Sequence, residues 1–290
     1  MLPTIKLGST DVSRLIMGGN IISGTSHISP ELDMEMQRFY TMPRVQEAFD
    51  NCQQNGINTV VLRIDAHIVR ALMEHRENGG KLHWIAQTAP EFRSLEHNLR
   101  MAGKIGPMAV YYHGGVVDNL YKSGDIQGIK DGLKTLKILG VPVGLCTHMP
   151  EVLLRAEEEE WGADWYMACV YNLTRPEPEQ KQATCCGEKD HFLEEDRVPM
   201  FDAIRKVKKP CMAFKILGAT RRCKTDQDRE AAITEAYTSI KPTDGCVVGF
   251  FQKYSDQITQ NAEFVRKLLS SRRIPATPVL RSNRPPGQWT

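Results

Sequence analysis

No apolar run in this 290-residue chain reaches the length of a membrane span. The start, Met1-Leu2-Pro3-Thr4-Ile5-Lys6, lacks the basic-then-apolar order of a signal peptide, so the sequence reads as cytoplasmic and without membrane partners. Charge of one sign is lacking too. Lys and Arg number 37 against 35 Asp and Glu, and no basic stripe is interleaved with aromatics, which argues against nucleic acid and for a small-molecule substrate. Neither Cys-x-x-Cys nor His-Glu-x-x-His occurs, so no local metal-ligand spacing is present. No Gly-x-Gly-x-x-Gly follows a strand, which counts against the open dinucleotide-binding sheet. The eight cysteines are scattered, several within apolar runs such as Met167-Ala168-Cys169-Val170, as reduced thiols acting as small hydrophobes would be.

What is present is regular alternation. Residues 4–14 read as a hairpin turning at Gly8–Asp11. Strands follow at Leu15–Met17, Asn58–Leu62, Leu82–Ala86, Met108–Tyr112, Val141–Leu145, Trp165–Val170, Cys211–Phe214 and Cys246–Phe250. Amphipathic stretches intervene at Val45–Gln54, Ile68–His75, Phe92–Ala102, Ile126–Leu139, Pro150–Glu159, Glu194–Val207, Asp226–Ser239 and Ser255–Ser270. Strands apolar on both faces, each followed by a helix, define a parallel sheet. Eight such units in about 250 residues favour a closed (β/α)8 TIM barrel over an open sheet. We expect one barrel domain over residues 1–271 and an irregular C-terminal tail over 272–290, which would wrap the barrel or join a homo-oligomer.

In such a barrel the chemistry gathers where the strands end. The residues closing the apolar runs are Asn20, Arg63 and Asp65, Gln87 and Thr88, His113, Cys146 with Thr147 and His148, Asn172, Lys215, and Gln252 with Lys253. His113 ends the run Met108–Tyr112 and precedes Gly114-Gly115, a pair that lets a ligand or another backbone approach closely. A lone histidine there is more often a satisfied core group than a ligand. Two histidines, a carboxylate and a lysine in equivalent places on four strands shift the balance. The resulting expectation is a divalent zinc, manganese or iron ion on His113, His148 and Asp65 or His67, with His113 alternatively a base. Lys215 would stabilise an oxyanion, act as base or Schiff-base nucleophile, or simply pair with Asp65. The connection from Thr174 to Leu193 has the length of a lid, and its Cys185-Cys186 with His191 read as an ordinary mobile loop before a metal or redox element.

Leu7-Gly8-Ser9-Thr10-Asp11-Val12-Ser13-Arg14-Leu15-Ile16-Met17-Gly18-Gly19, Gly56-Ile57-Asn58-Thr59, Tyr112-His113-Gly114, Tyr171-Asn172-Leu173, Ala213-Phe214-Lys215-Ile216-Leu217-Gly218 and Val248-Gly249-Phe250 together resemble the aldo-keto reductase superfamily. The resemblance spans nearly the whole chain and implies a (β/α)8 barrel with an N-terminal β-hairpin. It implies His113 as the counterpart of that family's catalytic histidine, but Val61 stands where its Asp belongs, no tyrosine precedes the second helix, and Gln87-Thr88 replace its Lys. Cys146, Thr147 and Ala168 replace the nicotinamide anchors, whereas Phe214 would still stack a ring, and Gln257 and Asn261 would still meet an adenine of NADP. The expected protein is therefore a barrel enzyme with a rebuilt site, in which His113, Lys215 and Asp65 act on a small sugar-like or oxo-acid substrate by metal-assisted or acid/base lyase, isomerase or hydrolase chemistry. Two alternatives stand beside it: an NADP-dependent oxidoreductase drawing its acid from Tyr111 or Tyr112, and a non-catalytic ligand-binding barrel.

Overall fold

The computed structural model describes residues 1–175 and 192–271. The loop cysteines 185 and 186, His191 and the tail 272–290 lie outside the described residues.

Strands β1 (Thr4–Leu7) and β2 (Thr10–Ser13) pair antiparallel, with Leu7 opposite Thr10 across the turn at Gly8. Gly8 has φ +60 there, a left-handed value that glycine adopts without a Cβ penalty. Eight parallel strands then close a barrel: β3 (Leu15–Gly18), β4 (Thr59–Arg63), β5 (His83–Gln87), β6 (Ala109–Tyr112), β7 (Val143–Thr147), β8 (Trp165–Cys169), β9 (Cys211–Phe214) and β10 (Gly245–Val248), with β10 returning to pair with β3. The expected α/β class and (β/α)8 architecture are both present.

Strand alternation divides each strand's side chains between two cores. Ile16, Val61, Ile85, Ala109, Tyr111, Cys146, Trp165, Met167, Met212 and Val247 fill the barrel, together with Ile5, Leu7 and Val12 of the hairpin. Leu15, Met17, Val60, Leu62, Ala86, Val110, Leu145, Tyr166, Ala213 and Val248 point outward against the helices. The hairpin thus packs into the barrel interior. The polar groups collect where the strands end.

The surrounding helices are α1 (Pro30–Phe39), α2 (Met42–Gln54), α3 (Ala66–Glu77), α4 (Leu95–Gly103), α5 (Gly114–Lys122), α6 (Ile126–Leu136), α7 (Pro150–Glu158), α8 (Arg197–Lys206), α9 (Asp226–Ser239) and α10 (Gln257–Ser270). Short 3-10 turns extend α6 over Lys137–Leu139 and precede α8 over Glu194–Asp196. Two of these helices were not expected. α1 arises inside a polar stretch because Ser29 caps it, accepting from the Leu32 amide, and Pro30 starts it. α5 begins directly on the glycine pair after His113, where a loop was expected. Among the described residues no helix is long and apolar enough to cross a membrane.

Candidate active site

His113 is the N-cap of α5, and its backbone N–H donates to Thr88 Oγ1 at 2.9 Å. Its ring Nδ1 accepts from the Gly115 amide at 3.2 Å, so the neutral imidazole carries its proton on Nε2. Burial first, and then the charges of His148, Arg63 and Lys215, hold this ring down to about 4 against the opposing pull of Asp118. At neutral pH His113 is an uncharged N–H donor.

His148, one residue beyond β7, is in the opposite condition. Asp118 of α5 has no solvent exposure, and its Oδ2 lies 2.7 Å from His148 Nδ1. The same carboxylate accepts from Thr147 Oγ1 at 2.5 Å and from the His148 amide at 3.2 Å. Burial opposes a charge on His148, but hydrogen bonds and charge from Cys169 and Asp118 outweigh it and raise the ring to about 9. At neutral pH His148 is an imidazolium whose Nδ1–H is held by a carboxylate. The Phe214 ring lies edge-on to it, 5.8 Å between centroids.

Gly114, directly after His113, leaves the room that the His148 ring occupies. A Cβ there would lie 2.8 Å from Cys146 Sγ, closer than real Cβ atoms essentially ever come, and 3.1 Å from His148 Cε1, a tight contact in which the ring would have to give. The glycine pair does permit close approach, as expected, and the group that approaches is His148. Burial pushes the Cys146 thiol well up, so it lines this contact as a neutral group.

Lys215 follows β9 with φ +61, and His27 faces it with φ +59. Left-handed backbone at non-glycine residues is strained and concentrates at functional sites. Lys215 Nζ lies 3.1 Å from His27 Nε2, and Asn20 Nδ2 lies 3.2 Å from the same nitrogen. Arg63 ends β4 two residues beyond the inward-facing Val61. Its Nε lies 3.0 Å from Asp65 Oδ2, and its Nη2 pairs with Glu91.

The remaining expected residues are deployed elsewhere. Asp65 caps α3, accepting from the Ile68 amide at 2.9 Å, besides pairing with Arg63, and His67 is exposed on the first turn of that helix. Lys215 therefore meets His27, not Asp65, in the contacts described. Among the described residues no group of three or more His, Cys, Asp or Glu side chains is placed to hold a metal ion. The four expected ligands do not fit such a centre. Asn172 turns back on Thr174, Gln252 bonds Asp256 and the Ile258 amide, and Lys253 pairs with Glu35. Gln257 accepts from the Phe251 amide, and Asn261 is buried with its Nδ2 on the Gln257 carbonyl. Tyr111 is buried inside the barrel edge-on to Trp165, and Tyr112 packs outward on Gly132 of α6, so neither hydroxyl stands beside His113 as an acid.

Asp118, Cys169 and His27 were not anticipated. Asp118 carried a signal: it lies four residues after Gly114 and next to Val117, on what becomes the buried face of α5.

No protein-family model and no curated protein sequence matches the chain. Solved structures do. A truncated 3-deoxy-D-arabino-heptulosonate 7-phosphate synthase from Thermotoga maritima is similar with a TM-score of 0.55 at 12% identity, over 92% of this chain and 91% of that one. An aldo-keto reductase from Bacillus halodurans, in its holo form, is similar with a TM-score of 0.54 at 12% identity, over 92% of this chain and 96% of that one. At such identity the likeness is one of fold. This chain is a (β/α)8 barrel, and the aldo-keto reductase is one of several barrel proteins that share its architecture.

Proposed function

We propose that this barrel is an enzyme that moves protons on a small carbonyl compound, as a lyase or isomerase. The observation that carries the reading is the buried Asp118–His148 pair at 2.7 Å, set against a neutral His113 at the same mouth. Two titratable groups pushed in opposite directions by their surroundings divide the labour of acid and donor. His113 Nε2–H would polarise the carbonyl and hold the enolate oxygen as it forms, with the Lys215 ammonium adding charge. His148, its Nδ1 anchored by Asp118, would in its neutral form take the proton from the carbon next to the carbonyl onto Nε2, and the imidazolium so formed would return that proton to carbon or to the departing oxygen. Every role in this scheme falls to a side chain of the chain itself.

The test is solvent exchange. Dihydroxyacetone, glyceraldehyde and pyruvate are incubated with the protein in D2O and followed by proton NMR. The wild type should exchange hydrogens next to the carbonyl of at least one of them, and His148→Gln should slow that exchange by about 10²–10⁴-fold. Equal exchange in the variant, or none into any compound, contradicts the reading.

A further inference from the structure

His27 and Lys215 meet although they lie 188 positions apart in sequence. His27 belongs to the loop between β3 and α1, and Lys215 directly follows Phe214, whose ring lies edge-on to His148 at the mouth. Both backbones are left-handed, φ +59 and φ +61, a strain that persists only where the surroundings impose it. The Lys215 carbonyl accepts from the Gly218 amide at 2.7 Å, which fixes the turn behind the side chain, and Arg221 donates to the His27 carbonyl at 3.4 Å, which ties the two loops. Lys215 Nζ then lies 3.1 Å from His27 Nε2 and 5.5 Å from the centre of the Phe192 ring. Asn20 Nδ2 reaches the same His27 nitrogen at 3.2 Å. An amide nitrogen and an ammonium only donate, so Nε2 accepts from both and carries no proton. An amine, a base within hydrogen-bond reach and a third group orienting that base form the arrangement that activates a nucleophile. Lys215 and His27 are half-buried and Asn20 is exposed, so a molecule in the mouth can reach them.

Resting on the acid–base reading above, and giving Lys215 more than its charge, we propose that Lys215 is a Schiff-base nucleophile toward aldehydes and ketones, with His27 as its proton shuttle. His27 Nε2 takes a proton from the ammonium, and the freed amine attacks the carbonyl carbon as the π pair moves to oxygen. His27 hands that proton to the oxygen, then carries a second from the nitrogen to the same oxygen. Water leaves as the nitrogen lone pair closes the C=N bond. The nitrogen is cationic before and after, so the contacts that hold the ammonium, the Phe192 face among them, hold the iminium as well. The iminium then draws in the electrons of the C–H bond that His148 breaks, so that an enamine takes the place of the enolate, and water reverses the capture.

Reductive trapping of the full chain tests this. The protein is incubated with dihydroxyacetone, glyceraldehyde or pyruvate, reduced with sodium borohydride, and read by intact mass and peptide mapping. At least one compound should add once, as its own mass less one oxygen atom, and the label should sit on Lys215 in preference to every other lysine. Lys215→Arg keeps the charge and should lose both the adduct and the solvent exchange. His27→Gly, which takes φ +59 without strain, should slow trapping by about 10²-fold or more, and imidazole in the buffer should restore part of that rate. If His27→Gly does not fold, Lys215→Arg carries the comparison. No adduct with any compound, no more label on Lys215 than on other lysines, or wild-type trapping in His27→Gly overturns the proposal. Solvent exchange that persists in Lys215→Arg overturns the covalent role and leaves the acid–base reading standing. An adduct on Lys215 without exchange into any carbonyl compound does the reverse.

Discussion

An aspartate with no solvent exposure loses several kcal/mol of hydration unless its oxygens are met by donors, and Asp118 is met by Thr147 Oγ1 and by the amide and ring of His148. Removing its charge while keeping its shape takes away the carboxylate at His148 Nδ1 and leaves Cys169 as the other group favouring the charged ring. Asp118→Asn should therefore shift His148 toward the neutral ring and lower solvent exchange about 10²-fold or more at pH 7, with the fold retained by circular dichroism. Wild-type exchange rates in that variant would remove Asp118 from the machinery. At this scale the sequence drew attention to His113, His148 and Lys215 because each stands at or just beyond the end of an apolar run. Asp65 and His67 follow one too, yet serve as helix cap and exposed first turn. Linear position at a strand end does not say whether a side chain turns to the mouth or to the next helix. The Asp65-Ala66-His67-Ile68 order was itself a cap signature, since Asp65 accepts from the Ile68 amide three residues on.

Helix α5 is the element that assembles the site, because it supplies Asp118 from its buried face and places its first residue against His148. Gly114→Ala should drive a Cβ into Cys146 Sγ and His148 Cε1, costing about 1–3 kcal/mol in stability and abolishing exchange. Gly103→Ala at the end of α4 is the control, since its Cβ meets only Leu139 at 3.8 Å and should stabilise by about 0.5–1 kcal/mol. Chemical denaturation of the two variants separates the cases. The eight barrel strands were legible within a residue or two because apolar runs of four or five residues between helical periods have no other reading. α5 was not, since Gly114-Gly115-Val116-Val117 combines the two residue classes with low helix propensity. Tertiary packing on β7 overrides that preference. The same override leaves the glycines where His148 needs room.

Closure of the sheet is what turns residues far apart in sequence, from His27 to Lys215, into neighbours, and it ties the two histidines to the stability of the whole molecule. His148 is raised to about 9 in the folded state from an ordinary 6.5, so its contribution is full below about 6.5 and lost as pH rises through about 9. His113 is lowered to about 4, so its contribution is full above about 6.5 and lost as pH falls through about 4. The thermal midpoint plotted against pH should accordingly be a dome. His148→Gln should flatten its alkaline limb and His113→Gln its acid limb, part of which His75, also lowered by burial, will retain. The most direct measurement is the titration of both rings in the intact protein, by nitrogen-15 NMR of labelled histidines. The account predicts His113 uncharged down to about 4 and His148 charged up to about 9. Two ordinary midpoints near 6.5, unaffected by Asp118→Asn, would contradict it.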